Sequence, residues 1–179
     1  MGISPFIYQR PPRTGLEAYE LLPEGTLAEL INDKIFMSPA PTYSHQDTSA
    51  ELVLQIRNYV KQNALGVCIT APIDVFFDEK NVLQPDIVFT AQENLSIIKD
   101  DKIKGVPDLI IEILSPGNPD LDKVVKKEVY EQFGVKEYFI VHPVTKEVIA
   151  YQHDGQQYIL QQSEYGRITS KILNNYFGF

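Results

Sequence analysis

Two hydrophobic periodicities divide the 179-residue chain. Apolar residues recur at helical spacing at Leu52, Val53, Ile56, Tyr59 and Val60, and again at Leu121, Val124, Val125, Val129 and Phe133. Nearly unbroken apolar runs occupy 87–89, 109–114 and 138–141. The first pattern predicts helices with one buried face, the second predicts strands covered on both faces. Ser44-His45-Gln46-Asp47 reads as the cap that opens a helix over 44–63, and Gly134 closes one over 119–133. Between them, 66–70, 73–77 and the strand that Asp86 opens form an antiparallel meander, with 78–81 as a polar turn. The strand 137–141 follows the 119–133 helix, so it pairs in parallel with 109–114 across that crossover.

The flanks carry local signals. Thr14-Gly15-Leu16-Glu17 has the form of a capping box and predicts a short helix to about Leu22, ended by Pro23 and Gly25. Residues 28–31 and 34–37 flank Asn32-Asp33 as a hairpin, and 147–152 and 156–161 meet at Asp154-Gly155 as another. Residues 1–13, with Pro5, Pro11 and Pro12, read as an extended lead-in, and 91–104 as a solvated connection with room for a helical turn after Gln92. The tail, with Tyr165, Tyr176, Phe177 and Phe179, docks on a partner subunit or on its own core. The fold class is α/β (α+β), a mixed sheet flanked by helices.

A hydrophobic content of 44% over this length predicts a single domain spanning 1–179. A net charge of -8 and a pI near 4.9 make the molecule repel polyanions as a whole, so contact with nucleic acid needs a local basic patch or metal ions. That counts against a simple DNA-binding module. The one cysteine, Cys68, cannot form an internal disulfide. No stretch reaches the ~18 apolar residues of a membrane span, and no signal-peptide core opens the chain. These features predict a soluble, cytoplasmic protein.

Glu112 is the residue that calls for chemistry. An ionised group inside a run covered on both faces is costly unless a cation or hydrogen bonds compensate it. Alternation puts Asp108, Ile110, Glu112 and Leu114 on one face, and Asp86 opens what reads as the neighbouring strand. Two carboxylates, a backbone carbonyl and waters suit Mg2+ or Mn2+. Such an ion activates water and stabilises charge on a phosphate, and a nearby lysine completes the set.

This arrangement is similar to the PD-(D/E)XK nuclease pattern, with a restriction-endonuclease-like core of helix, three-strand meander, helix and strand. The lysine that the pattern places two residues after Glu112 is replaced by Leu114, and Lys123, Lys126 and Lys127 on the next helix can substitute. A closer resemblance is carried by Glu29-Leu30-Ile31-Asn32-Asp33-Lys34-Ile35, Met37-Ser38-Pro39-Ala40-Pro41 with His45, Gln84-Pro85-Asp86-Ile87-Val88, and Pro107-Asp108-Leu109-Ile110-Ile111-Glu112-Ile113-Leu114-Ser115-Pro116. Asp122, Lys126 and Tyr130, then Gly134-Val135, Glu137-Tyr138-Phe139-Ile140-Val141 and Pro143, complete it. On these blocks, over about residues 20–150, the chain resembles the Uma2 restriction-endonuclease family. The family's acid, lysine and tyrosine, each four apart, match Asp122, Lys126 and Tyr130 and favour Lys126 as the displaced active-site lysine. Phe139 stands where the family usually has Trp, and His142 where it has Asp.

The resemblance implies a metal-dependent DNA endonuclease with Asp86 and Glu112 on Mg2+ or Mn2+, Lys126 assisting water, DNA as substrate, and a homodimer or higher homo-oligomer. Plainer readings stand beside it. Asp86 caps a turn, Glu112 belongs to a structural ion pair, Lys126 and Lys127 are ordinary exposed lysines, and Glu29 is either an added carboxylate of the metal site or an exposed hairpin acid. Asp108 joins the site or meets solvent, and His45 is a cap or packing residue or a general base. No Cys or His pair has zinc-ligand spacing, Ser115 lacks a nucleophile elbow, and no Gly-rich phosphate loop is present. The second function class is a catalytically inactive domain of the same fold that binds or assembles.

Overall fold

The run Leu109–Ile113 forms a strand in which every residue is buried, and layers build on both of its faces. The protein's structure, a computed structural model, describes residues 10–117 and 119–179; the first nine residues of the predicted lead-in lie outside these. In chain order the elements are α1 (Gly15–Tyr19), β1 (Ala28–Ile31), β2 (Lys34–Met37), α2 (Tyr43–Gln62), β3 (Gly66–Thr70), β4 (Val75–Asp78), β5 (Asn81–Leu83) and β6 (Ile87–Ala91). A 3-10 segment (Gln92–Ile97), β7 (Ile98–Lys99), β8 (Lys102–Lys104) and β9 (Leu109–Ile113) follow. Next come a π-helical segment (Leu121–Lys126), α3 (Lys127–Phe133), β10 (Glu137–Val141), β11 (Glu147–His153), β12 (Tyr158–Leu160), β13 (Glu164–Tyr165), β14 (Arg167–Ser170) and β15 (Asn175–Gly178).

Among the described residues, the main sheet runs in the order β12-β11-β10-β9-β6-β3, with β13 against β11. The β9–β10 pair is parallel, aligning Glu112 with Ile140, as a strand–helix–strand crossover requires. Alternation along β9 sorts the layers. Leu109, Ile111 and Ile113 pack with Leu52, Ile56 and Val60 of α2, whereas Ile110 and Leu114 pack with Val129 and Tyr130 of α3 and with Ile31 and Leu83 of a second sheet. That second sheet has the order β2-β1-β5-β4-β8-β7.

Several local expectations hold. Asn32 and Asp33 both adopt positive φ, 50° and 63°, which a two-residue hairpin of mirror-image turn type demands. Gly134 caps α3 at φ 78°, and the main sheet, layered helices and parallel crossover give the predicted α+β class. Other expectations change. The residues 73–77 leave the meander: β3 pairs directly with β6, while β4 turns back on β5 within the second sheet. Residues 91–104 contribute two short strands to that sheet as well as a helical turn. Helix α2 is capped by Thr42, whose hydroxyl accepts from the His45 amide, so Ser44 lies inside the first turn. Helix α1 stops at Tyr19 rather than near Leu22. The tail docks on its own core: Phe177 is buried beside Tyr59, and Gln55 Nε2 donates to the Gly178 carbonyl.

Candidate active site

Four elements bring four carboxylates and one ammonium together. Asp86 immediately precedes β6, one step beyond the antiparallel pair Ile87–Ile111, which sets it opposite Glu112 on β9. Its Oδ2 accepts from the Ile113 amide at 2.7 Å and contacts His45 Nε2 at 3.1 Å. Glu29 arrives from β1, where all four residues are buried, and its Oε1 accepts from the Gln84 amide at 2.8 Å. The π-helical segment delivers Lys126, whose Nζ stands 3.0 Å from Glu29, 3.0 Å from Glu112 and 3.2 Å from Asp122. Tyr130, one turn later, donates from its hydroxyl to Glu112 Oε1 at 2.6 Å. Glu29, His45, Asp86, Glu112, Asp122 and Lys126 border an open cavity of about 630 Å³, and Tyr130 lies buried behind it.

Burial decides the electrostatics. Side-chain exposure is 3% for Glu112, 4% for Glu29, 7% for Lys126 and 12% for Asp122, against 17% for Asp86. Burial pushes the Glu112 carboxyl well above its ordinary range; Lys126 opposes this, and Asp122, Asp86 and Glu29 add to the upward push. Asp122 rises for the same reasons, burial first. Burial alone would lower Lys126, but Glu112, Glu29, Asp122 and Asp86 outweigh it and hold the ammonium protonated well beyond its ordinary range. Burial and Glu112 together keep the Tyr130 phenol protonated. One ammonium serves three carboxylates, with Asp86 against His45 beside them, so negative charge is in surplus here. A π-helical turn, rare overall and frequent at functional sites, is what places that ammonium.

The model of a family described as "Putative restriction endonuclease", Uma2, matches residues 16–174. The chain belongs to the Uma2 family. Among solved structures it resembles a "putative nuclease belonging to DUF820" from Anabaena variabilis ATCC 29413, with a TM-score of 0.69 and 22% identity over 86% of this chain and 83% of that one. At that identity the likeness shows the fold. Comparison with curated proteins finds no match.

Within this Uma2 chain, Asp86, Glu112, Lys126, Glu29 and His45 meet at one cavity, and two other candidates lie elsewhere. Asp108 is buried at the opposite end of β9, where Lys136 Nζ at 2.6 Å, the Ala91 amide and Asn94 saturate it, so it neither joins the site nor meets solvent. Lys127 points away to Glu131 and the rings of Tyr151 and Tyr158. Glu29 is no exposed hairpin acid, and Lys126 no exposed lysine. The spacing of Asp122 and Tyr130, four residues either side of Lys126, singles out that lysine in the sequence; the structure adds both residues to the cluster, as partners of Lys126 and Glu112. The His45–Asp86 contact joins residues 41 apart and carried no local signal. Among the described residues no group of three or more His, Cys, Asp or Glu is placed to hold an ion. No described helix is long and apolar enough to cross a membrane.

Proposed function

We propose that this chain is a divalent-metal-dependent endonuclease that hydrolyses phosphodiester bonds in DNA at the Asp86–Glu112 cavity. The observation that carries the reading is the surplus of buried carboxylate around a single lysine, since charges so desolvated persist only beside compensating cations. The donor set fits Mg2+ or Mn2+ better than zinc: hard carboxylate oxygens dominate and no thiolate is present. Mg2+ is commonly held by one or two carboxylates with water and substrate phosphate, and the cavity supplies such a pair. Asp86 and Glu112 would hold the ion.

When bound, the metal would supply a more acidic water and charge stabilisation on the phosphate. The chain's own residues do the rest. The Ile113 amide and His45 fix one oxygen of Asp86, and the Tyr130 hydroxyl fixes one oxygen of Glu112. Lys126 keeps its protons at Nζ, so it serves as hydrogen-bond donor to attacking water or developing negative charge and not as a base. Glu29 and Asp122 hold that ammonium in place. By analogy with small nucleases of this fold, the working form is a homodimer acting in the cytoplasm.

A second reading, an inactive domain that keeps the fold, draws on Lys126 already neutralising Glu112 and on Leu114 in the usual lysine position. Cleavage of single-stranded and duplex DNA with Mg2+ separates the two. Wild type cuts at least one of these substrates and Asp86→Ala cuts neither; equal behaviour of the two proteins on both substrates, active or inactive, would remove the nuclease reading.

A further inference from the structure

The substrate's strandedness is written into the cavity. The acids lie on its floor: Asp86, the most exposed of the four, reaches 17%, and Glu112 is 3% exposed. A phosphodiester must therefore enter a space of about 630 Å³, within the ~300–1,000 Å³ usual for a site that takes one small molecule. A duplex carries its phosphates on the outside of a stiff rod, and proteins that track it offer a stripe of lysine and arginine. Among the described residues lining this cavity, Lys126 is the one lysine or arginine, and three carboxylates already engage it. The described lining thus has no further cation for a second backbone, whereas a single strand brings one phosphate at a time to the acids proposed to hold the metal.

The lining instead offers apolar surface. Leu27, Phe36, Met37, Pro39 and Pro41 border the cavity, and Met37 is 64% exposed. Tyr43 opens α2 three residues before Gln46, another lining residue, and is 84% exposed. Met37 on the lining, and Tyr43 in the chain between the lining residues Pro41 and His45, suit unstacked bases, whose faces stack on aromatic and apolar side chains with little regard to sequence. We propose that the cavity takes single-stranded DNA, including flaps and frayed ends, in preference to duplex, with Met37 and Tyr43 as the base-contacting residues. The proposal deepens the nuclease reading and rests on it for the site, yet its binding test needs no catalysis.

The test compares fluorescence anisotropy of one labelled oligonucleotide with a cleavage-resistant phosphorothioate backbone, single-stranded and annealed, titrated with the full chain in Mg2+. The strand binds about tenfold more tightly than the duplex. Met37→Ala and Tyr43→Ala, both at exposed positions, each weaken strand binding by about tenfold and leave duplex binding alone. Leu160→Ala, equally exposed on β12, changes neither. Duplex binding as tight as strand binding, no measurable binding of either, or no loss in the Met37/Tyr43 double variant overturns the proposal. Strand preference without any cleavage of the unmodified oligonucleotide in Mg2+ removes the nuclease reading while the binding preference stands.

Discussion

A buried carboxylate meets a lysine from elsewhere in the chain at each end of strand β9, and the two ends behave oppositely. At the start, Asp108 has one partner for each demand: Lys136, the Ala91 amide and the Asn94 side chain. Burial pushes this carboxyl up, but those hydrogen bonds win and hold it below its ordinary value. At the other end, Glu112 shares Lys126 with Glu29 and Asp122, and its carboxyl is pushed well above the ordinary range. The first arrangement is complete and ties β6, β9 and β10 together. The second is short of positive charge and opens onto a cavity. A buried ion pair is thus no functional marker in itself; the marker is an imbalance that the protein alone does not resolve.

The contrast breaks most visibly when the lysines are removed. Lys126→Met leaves buried carboxylates without their cation and costs about 3–5 kcal/mol in urea unfolding, whereas Lys136→Met, at a side chain 59% exposed, costs about 1 kcal/mol. Similar losses in the two variants would erase the distinction. Next in size, Glu112→Gln lowers Mg2+-dependent cleavage by ~10²–10³ while keeping or raising stability, because it relieves carboxylate repulsion. Asp108→Asn reverses this, retaining cleavage and losing ~1.5–3 kcal/mol in the same unfolding assay.

The smallest effect is one of pH. Asp108 has a depressed native value, so its contribution is present above its ordinary value of 3.8 and disappears as pH falls through the lower native value. Asp108→Asn therefore flattens the acid limb of a stability–pH curve. A wild-type limb preserved in that variant would show that the stabilisation lies elsewhere.

The same strand shows where sequence reading succeeds and stops. Glu112 stood out because a charge inside a run such as 109–114 has to be compensated, and the Asn32-Asp33 turn, Gly134 and the parallel β9–β10 pair follow from equally local or topological rules. Asp108 shares the face of Glu112 by alternation, but four residues at ~3.3 Å each set them about 13 Å apart, and alternation says nothing of distance along a strand. The pattern Val75-Phe76-Phe77 reads as a strand in either sheet; its place beside β5 and β8 rests on long-range pairing. The π-helical turn under Lys126 changes the helical period over six residues, too short a stretch for hydrophobic spacing to register. His45 met Asp86 only through the docking of α2.

The imbalance at Glu112 is most directly tested by calorimetric titration of Mn2+ into wild type, Glu112→Gln and Asp108→Asn. The expected result is saturable uptake by wild type and Asp108→Asn and its loss in Glu112→Gln. Equal uptake by all three proteins, or none by wild type, would contradict a metal role for the acidic end of β9.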